Sequence, residues 1–272
     1  TEDEPNIVLA LKGLVGVEIK ITGPKGDQHS GLHGGAIANP LMALSQLVAS
    51  MKDQNGRILI EGFYDDVIEI TEEDKNEISR IPYNQEDYIK ELGVPELFGE
   101  IGYTTRERLW ARPTLDVNGI WGGYQGLGSK TVHPAEASVK ITCRLVANQK
   151  PNKILELIKK HVEAHTPAGT RSFVEKLAGD ADPFLMPKSH NASQVAHKIL
   201  TEVYGIKPYE TRLGGSIPIM TIFLNELGVH GTMFGFSLAD ENLHAPNEFF
   251  RLKNFRRGQI AYCRLIEELG KG

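Results

Sequence analysis

The chain has 272 residues, of which 40% are hydrophobic and 24% charged, and its formal net charge is −5. This composition is typical of a globular protein that buries a real core, and the negative charge argues against nucleic acid as the main partner. No apolar run reaches the roughly 18 residues of a membrane-spanning helix, so the sequence predicts neither a nucleic-acid-binding nor a membrane-spanning protein.

The first part of the chain alternates strand and helix patterns. Residues 1–8 are predicted to be a tail. The next elements, through residue 178, are a strand (14–22), a helix (40–51), two strands (114–119 and 137–146), a helix (151–161) and a strand (171–177). Period-two alternation marks the strands, and one apolar face marks the helices. This order predicts a ferredoxin-like βαββαβ domain, an open sheet with helices on one face.

Residues 61–112 interrupt this order and lack a strong apolar stripe. They are predicted to form a peripheral insertion with helices at 71–80, 85–92 and 104–112. Just before them, residues 57–60 are predicted to be a short strand after an Asn-Gly turn.

The pattern changes after residue 187. The predicted elements are a helix from Ser189 or Asn191 to Tyr204, an extended segment (208–212), a helix (217–227), a strand (231–236) and a helix (252–269). So few strands cannot close a sheet alone. Residues 188–272 are therefore predicted to be one part of an α/β domain, and the whole chain to be of the α/β (α+β) class.

The loop 239–248 places Asp240, Glu241, His244 and Glu248 close together in sequence. A histidine among carboxylates is a candidate ligand for zinc or a harder metal. A zinc enzyme needs about three protein ligands, however, and no second histidine lies at ligand spacing. The alternative is a surface histidine or an ion-pair partner.

Three further stretches are candidate substrate contacts. His29 and His33 lie in a glycine-rich segment where an imidazole could polarise a carbonyl, or simply stand in a hydrated turn. Arg144, on the polar face of a strand, could clamp a carboxylate, or be an exposed cation. The amide groups of Gly214 and Gly215 and the Ser216 hydroxyl open a helix, where they suit an anion; alternatively Ser216 is a helix cap. No G-x-S-x-G pattern supports serine hydrolase chemistry.

The chain contains two cysteines, Cys143 and Cys263, and both lie in apolar runs. We expect buried free thiols and a reducing, cytoplasmic setting. The first residue is threonine and residues 1–10 show no secretory signal, so we expect a piece of a longer protein.

Six motifs together resemble the carnosinase, cytosolic nonspecific dipeptidase and aminoacylase family of two-metal peptidases, with the dipeptidase branch as the nearest likeness. They are GPKGDQHSG with GG-x3-NP (23–40), NGI (118–120), GxGSKTVHP (126–134), RLVANQ (144–149), RLGGSIP (212–218) and DENLHAPNE (240–248). They occur in the family's order over nearly the whole chain.

The resemblance implies a two-domain enzyme in which a lid interrupts a catalytic domain. Residues 9–187 correspond to the ferredoxin-like lid, which also makes the homodimer, and residues 188–272 to the C-terminal part of the catalytic domain. In such enzymes a hydroxide bridging two zinc or manganese ions attacks a peptide carbonyl, and a glutamate acts as general base.

The resemblance also assigns roles to single residues. His244 matches a metal ligand that also borders the substrate. His29 and Thr131 match lid residues that reach the substrate in the partner subunit's site. Arg144, Gly215 and Ser216 match the group that holds the carboxylate end of the substrate.

The sequence departs from the family in two places. The H-x-D pair, the bridging aspartate and the Glu-Glu pair of the family's N-terminal half have no match here, and Leu213 stands where many relatives have an acidic residue. We therefore expect this chain to be inactive without an N-terminal catalytic segment, and the 239–248 loop to be metal-free. Two alternatives are a non-catalytic binding or dimerisation module and an amidohydrolase acting on N-acyl amino acids.

Overall fold

A computed structural model describes residues 1–238 and 240–271. The strands of these residues are β1 (Asn6–Leu11), β2 (Gly13–Thr22), β3 (Gln28–His29), β4 (Thr114–Gly122), β5 (Val132–His133), β6 (Glu136–Leu145), β7 (Arg171–Lys176), β8 (Phe184–Leu185) and β9 (Tyr209–Leu213). The helices are α1 (Ser30–His33), α2 (Pro40–Ser50), α3 (Glu72–Arg80), α4 (Gln85–Leu92), α5 (Thr105–Ala111), α6 (Pro151–His165), α7 (Asn191–Tyr204), α8 (Pro218–Leu227) and α9 (Leu252–Leu269).

The first core lies between a four-stranded antiparallel sheet, in the order β4-β6-β2-β7, and helices α2 and α6. This is the strand order of the split βαβ pattern, so the predicted ferredoxin-like fold is confirmed. Strands β2 and β6 pair along their whole length, from Gly13 opposite Leu145 to Thr22 opposite Glu136. Alternate residues of both strands, such as Val17 and Ile141, are buried under the helices.

The second core lies on a three-stranded sheet in the order β8-β1-β9, covered by α7 and α9. Strand β1 runs parallel to β9 and antiparallel to β8. The expected tail at residues 1–8 is therefore wrong from residue 6 onwards, and Ile7 is only 1% exposed. The acidic residues before the strand are typical of a solvated tail and so concealed it. In the structure Asp3 pairs with Arg257 of α9 at 2.6 Å, which holds the start of the chain against the second core.

The predicted strand at 231–236 is wrong. In the structure only Met233 makes a β-bridge, to Val8. The neighbouring carbonyls are taken by side chains of α9 instead: Tyr262 donates to the Phe234 carbonyl at 2.6 Å, and Asn254 to the Phe236 carbonyl at 3.0 Å. Residues 57–60 likewise form no strand, since only Ile58 makes a bridge, to Lys52.

Helix ends follow the predicted positions because local side chains cap them. Thr71 and Thr104 form capping boxes at α3 and α5, and Asn39 caps α2. At α7 the cap is neither Ser189 nor Asn191. The His190 ring accepts the Ala192 N–H at 3.3 Å instead.

The insertion 61–112 is held by polar contacts within itself and to the second core. Arg112, 4% exposed, donates from Nε and Nη2 to the two carboxylate oxygens of Glu100, each at 2.9 Å. Asp74 of α3 accepts from Arg212 of β9 at 3.0 Å, so the insertion also contacts the second core. These contacts are polar, which explains why no apolar stripe revealed them.

The cysteines differ in exposure. Cys143 is buried as predicted, and burial raises the pKa of its thiol. Cys263 is exposed, so the expectation of a second buried thiol is wrong. Among the described residues, no helix combines the length and apolarity needed to cross a membrane.

Candidate functional site

The predicted carboxylate-binding residues meet between the two cores. Arg144 lies near the end of β6, opposite Leu14 of β2, and Ser216 lies just before α8. Arg144 Nη1 donates to Ser216 Oγ at 3.0 Å, and both residues are half-buried. A guanidinium is thus held at a helix start with the rest of its donors available for a planar anion.

The start of α8 is open to an anion. In the described residues, no side chain caps this helix, so Ser216 is not its cap. Its first amide groups therefore lack a side-chain acceptor, as in many anion sites. The loop before α8 is hydrogen-bonded to Lys12, whose N–H donates to the carbonyls of Leu213 at 3.3 Å and Gly215 at 3.1 Å.

The two residues expected to act across a dimer also lie together. Strands β3 and β5 pair antiparallel with His29 opposite Val132, and the Ser30 N–H donates to the Thr131 carbonyl at 3.1 Å. His29 and Thr131 are both exposed. The His29 Nδ1 accepts the Gly31 N–H at 3.0 Å, so the neutral ring carries its proton on Nε2. His29 can therefore donate a hydrogen bond to a group outside its own subunit.

The acidic loop is organised around Arg251 rather than around His244. Glu241, which is fully buried, accepts the Leu238 N–H at 2.9 Å and Arg251 Nη1 at 3.0 Å. Burial alone would raise the pKa of Glu241, but these hydrogen bonds hold it below its ordinary value. Asp240 pairs with the same guanidinium at 2.6 Å. Asp240 and Glu241, two of the four polar residues of this loop, thus both pair with Arg251.

His244 stands on the exposed side of this loop with a left-handed backbone, φ 63°. Across residues 1–238 and 240–271, no group of three His, Cys, Asp or Glu side chains could hold a metal ion. The residues described therefore do not by themselves fit the expected pair of metals, since even one zinc needs about three protein ligands. Ala239 and Gly272, which belong to the predicted loop and C-terminal segment, lie outside the described residues.

Sequence reasoning missed Lys12, which lies between β1 and β2 and is 3% exposed. Burial lowers its pKa to about 8; Asp116 opposes this shift and Arg144 adds to it. The signal that could have revealed it is a lysine standing between two apolar runs, NIVLAL and GLVGV.

Comparison with known proteins relates the chain to peptidases. The model for a peptidase dimerisation domain, M20_dimer, matches residues 9–170. A Cys-Gly metallodipeptidase of Schizosaccharomyces pombe is 30% identical over 270 residues, which cover 98% of this chain and 56% of the relative. A Beta-Ala-His dipeptidase of Rattus norvegicus is 27% identical over 275 residues, which cover 100% of this chain and 56% of the relative. The chain thus spans a little over half the length of these relatives.

A solved structure shares the fold. An M20 family metallo-carboxypeptidase from Sulfolobus solfataricus matches with a TM-score of 0.80 and 31% identity, covering 97% of this chain and 60% of that protein. The similarity includes both cores, since it covers almost all of the chain.

Proposed function

Because the chain belongs to the M20 peptidase family, we propose that it forms the lid and the C-terminal catalytic segment of a metal-dependent dipeptidase. The parent protein hydrolyses dipeptides or related amides. The observation that carries this proposal is the hydrogen bond from Arg144 to Ser216, which joins the lid to the start of α8 at 3.0 Å. The free thiols Cys143 and Cys263 support a cytoplasmic location.

The Arg144–Ser216 pair suits the free carboxylate that ends a dipeptide. The guanidinium supplies parallel N–H donors. Pro218, the first residue of α8, has no N–H and the Met220 N–H donates to the Ile217 carbonyl at 3.1 Å, so Ile219 is the residue of this first turn whose N–H can add to them. The site lies between the lid and the catalytic segment. A dipeptide bound there has its carboxylate anchored and its peptide bond directed away from Arg144, which orients it for attack.

His29 and Thr131 act in the partner subunit's site. Their ribbon, β3 and β5, is exposed, and the matched domain is described as a dimerisation domain. In a homodimer formed through the lid, the His29 Nε2–H donates to the substrate carbonyl of the neighbouring site and stabilises the negative charge that develops on its oxygen.

We propose that the parent holds two divalent metal ions, zinc or manganese, which would activate the attacking water; the name of the metallodipeptidase relative supports a metal. His244 is the ligand that this chain contributes. The other ligands belong to an N-terminal catalytic segment, which is the partner that this chain needs for activity. The 272-residue chain is therefore inactive alone.

The first test compares the chain with its full parent reading frame. We expect the parent to hydrolyse free dipeptides and the 272-residue chain to show no turnover. In the parent, His244→Ala is expected to lower bound metal, measured by atomic emission, and to reduce kcat by at least about 100-fold. The exposed His33→Ala is the matched control and should change neither value.

Three outcomes would contradict this proposal. Turnover by the purified chain would show that it needs no other segment. Unchanged metal and activity in His244→Ala would favour a non-catalytic dimerisation module. Faster hydrolysis of N-acetyl amino acids than of dipeptides would favour an N-acyl-amino-acid amidohydrolase.

The second test concerns His29. We expect His29→Ala in the parent to lose most of its activity, and to regain part of it when mixed with subunits inactivated by His244→Ala. In such mixed dimers, one site combines an intact metal ligand with the partner's intact His29. Two affinity tags would isolate the mixed dimers. Mixed dimers no more active than the separate His29→Ala and His244→Ala homodimers would show that His29 does not act across the dimer.

A further inference from the structure

Lys12 lies where the chain passes from the second core into the first, and its backbone contacts the loop that carries Ser216. It follows β1 and precedes β2, and its N–H binds the carbonyls of Leu213 and Gly215 in the loop that carries Ser216. Its side chain is buried, with 3% of the residue exposed. The loop that carries Ser216 is therefore hydrogen-bonded to the backbone of Lys12, a residue with a buried side chain.

The Lys12 ammonium is poorly compensated. In the part of the chain that the structure describes, its Nζ makes one hydrogen bond, to the Arg108 carbonyl at 3.3 Å, and no ion pair. An ammonium has three donors, and a buried cation without a counter-ion is costly. Burial lowers the pKa of Lys12, Asp116 opposes this shift, and the positive charge of Arg144 adds to it.

The carboxylates around Lys12 are already paired with other cations. A cavity of about 70 Å³ beside it is also lined by Glu69, Asp74 and Arg212. Glu69 binds Arg112 at 2.7 Å, and Asp74 binds Arg212 at 3.0 Å. Asp116, the carboxylate that favours the charge on Lys12, lies 3.7 Å from Lys52 Nζ. Each carboxylate near Lys12 thus has another cation closer to it than an ion pair with Lys12 would allow it to share fully.

We propose that Lys12 is a specificity-determining residue of the Arg144–Ser216 site. Its buried ammonium adds to the field of the Arg144 guanidinium and makes the site select ligands with a free carboxylate over neutral ones. Charges interact strongly in such a weakly polarisable environment, so a second cation matters without touching the ligand. The inference rests on the proposed function only for the identity of the substrate.

The experiment measures binding rather than turnover. The 272-residue chain is titrated with N-acetylglycine, which carries a carboxylate, and with N-acetylglycinamide, which does not; binding is followed by the amide NMR signals of Gly215 and Ser216. We expect the wild-type chain to prefer the carboxylate. Lys12→Met should reduce this preference roughly fivefold to tenfold, and Lys12→Arg should keep it within about twofold.

The matched control is Lys20→Met. Lys20 lies at the other end of β2, opposite Ser138, and is exposed beside Glu136. Its removal changes the net charge as Lys12→Met does, but it should leave the carboxylate preference unchanged because solvent screens it.

The pH dependence gives a second readout. The groups facing Lys12 are Asp116 of β4, Arg144 of β6 and the Arg108 carbonyl of α5, together with Glu69, Asp74 and Arg212 at the cavity. Carboxylates and guanidinium groups keep their charge between pH 7 and about 9. We expect the carboxylate preference to fall as pH rises through about 8, where Lys12 loses its proton, and to stay flat in Lys12→Arg.

Several results would overturn the inference. The first is a wild-type chain that binds both probes equally well. The second is an equal loss of affinity for both probes in Lys12→Met, and the third is a Lys12→Arg chain that does not keep the carboxylate preference. Either of the last two would give Lys12 a purely structural role. Failure of the proposed function is a separate result: the parent would hydrolyse no dipeptide while the carboxylate preference and its dependence on Lys12 persisted.

Discussion

Replacement of Arg144 by methionine is expected to lower kcat/KM for a free dipeptide about 100-fold to 1,000-fold in the parent enzyme. The guanidinium is half-buried and held by Ser216 at 3.0 Å. Removing one partner of such a charge-assisted contact leaves the substrate carboxylate desolvated and unpaired, which typically costs about 2 to 5 kcal/mol. Methionine keeps the aliphatic part of the side chain, so the loss reports mainly on the missing guanidinium.

A second substrate separates binding of the carboxylate from general damage. For a dipeptide amide, which lacks the terminal charge, Arg144→Met should cost less than about tenfold, so that the preference for the free acid disappears. The control is Lys140→Met on the same face of β6, where the lysine is exposed and 3.9 Å from Glu18. Equal losses on acid and amide would mean that Arg144 supports the fold instead of the substrate.

Replacement of Arg112 by methionine is expected to lower the free energy of unfolding by about 3 to 5 kcal/mol. Arg112 and Glu100 are 4% and 8% exposed, and the arginine binds both oxygens of the glutamate. The guanidinium also lies against the rings of Tyr64 and Tyr103, 4.9 and 4.4 Å from their centroids. Without Arg112, the buried Glu100 carboxylate loses both of these hydrogen bonds and keeps the half-exposed Arg57, which binds its Oε1 at 2.9 Å. The loss of the buried partner explains the cost. Urea unfolding followed by circular dichroism measures it.

Two variants test this explanation. Arg80→Met removes an exposed arginine that pairs with Glu77 one turn away at 3.0 Å, and it should cost less than about 0.5 kcal/mol. The double variant Arg112→Met, Glu100→Leu should be more stable than Arg112→Met alone, because it removes the stranded charge. An Arg112→Met protein within about 1 kcal/mol of wild type would show that Arg57, which binds Glu100 at 2.9 Å, compensates the carboxylate by itself.

Arg144 and Arg112 belong to parts of the molecule that are linked by hydrogen bonds. The loop carrying Ser216 is bound to Lys12, and Lys12 in turn donates to the Arg108 carbonyl of the insertion. The insertion reaches β9 through Asp74 and Arg212. The proposed carboxylate site is therefore supported by the first core, the insertion and the second core together. Loosening the insertion by Arg112→Met is expected to weaken this support as well as the fold.

Local patterns determined most of the elements. The alternation in β2 and β6 predicted both strands, and their order with α2 and α6 predicted the ferredoxin-like sheet. Helices α4 and α9 have the predicted bounds, because their apolar spacing and end signals lie within the helix and its flanks. The six motifs predicted the peptidase family, which the dimerisation-domain match confirms.

Only the tertiary structure decided what each residue contacts across the chain. In the tertiary structure β1 pairs with β9, and side chains of α9 donate hydrogen bonds to the carbonyls of Phe234 and Phe236. Glu241 accepts a hydrogen bond from Arg251. The tertiary structure also buries Lys12 and bonds its backbone to the loop before Ser216. Periodicity and capping report on neighbours within a few residues, whereas these hydrogen bonds and ion pairs join residues far apart in sequence. Their energies depend on burial, which exists only once the two cores have packed.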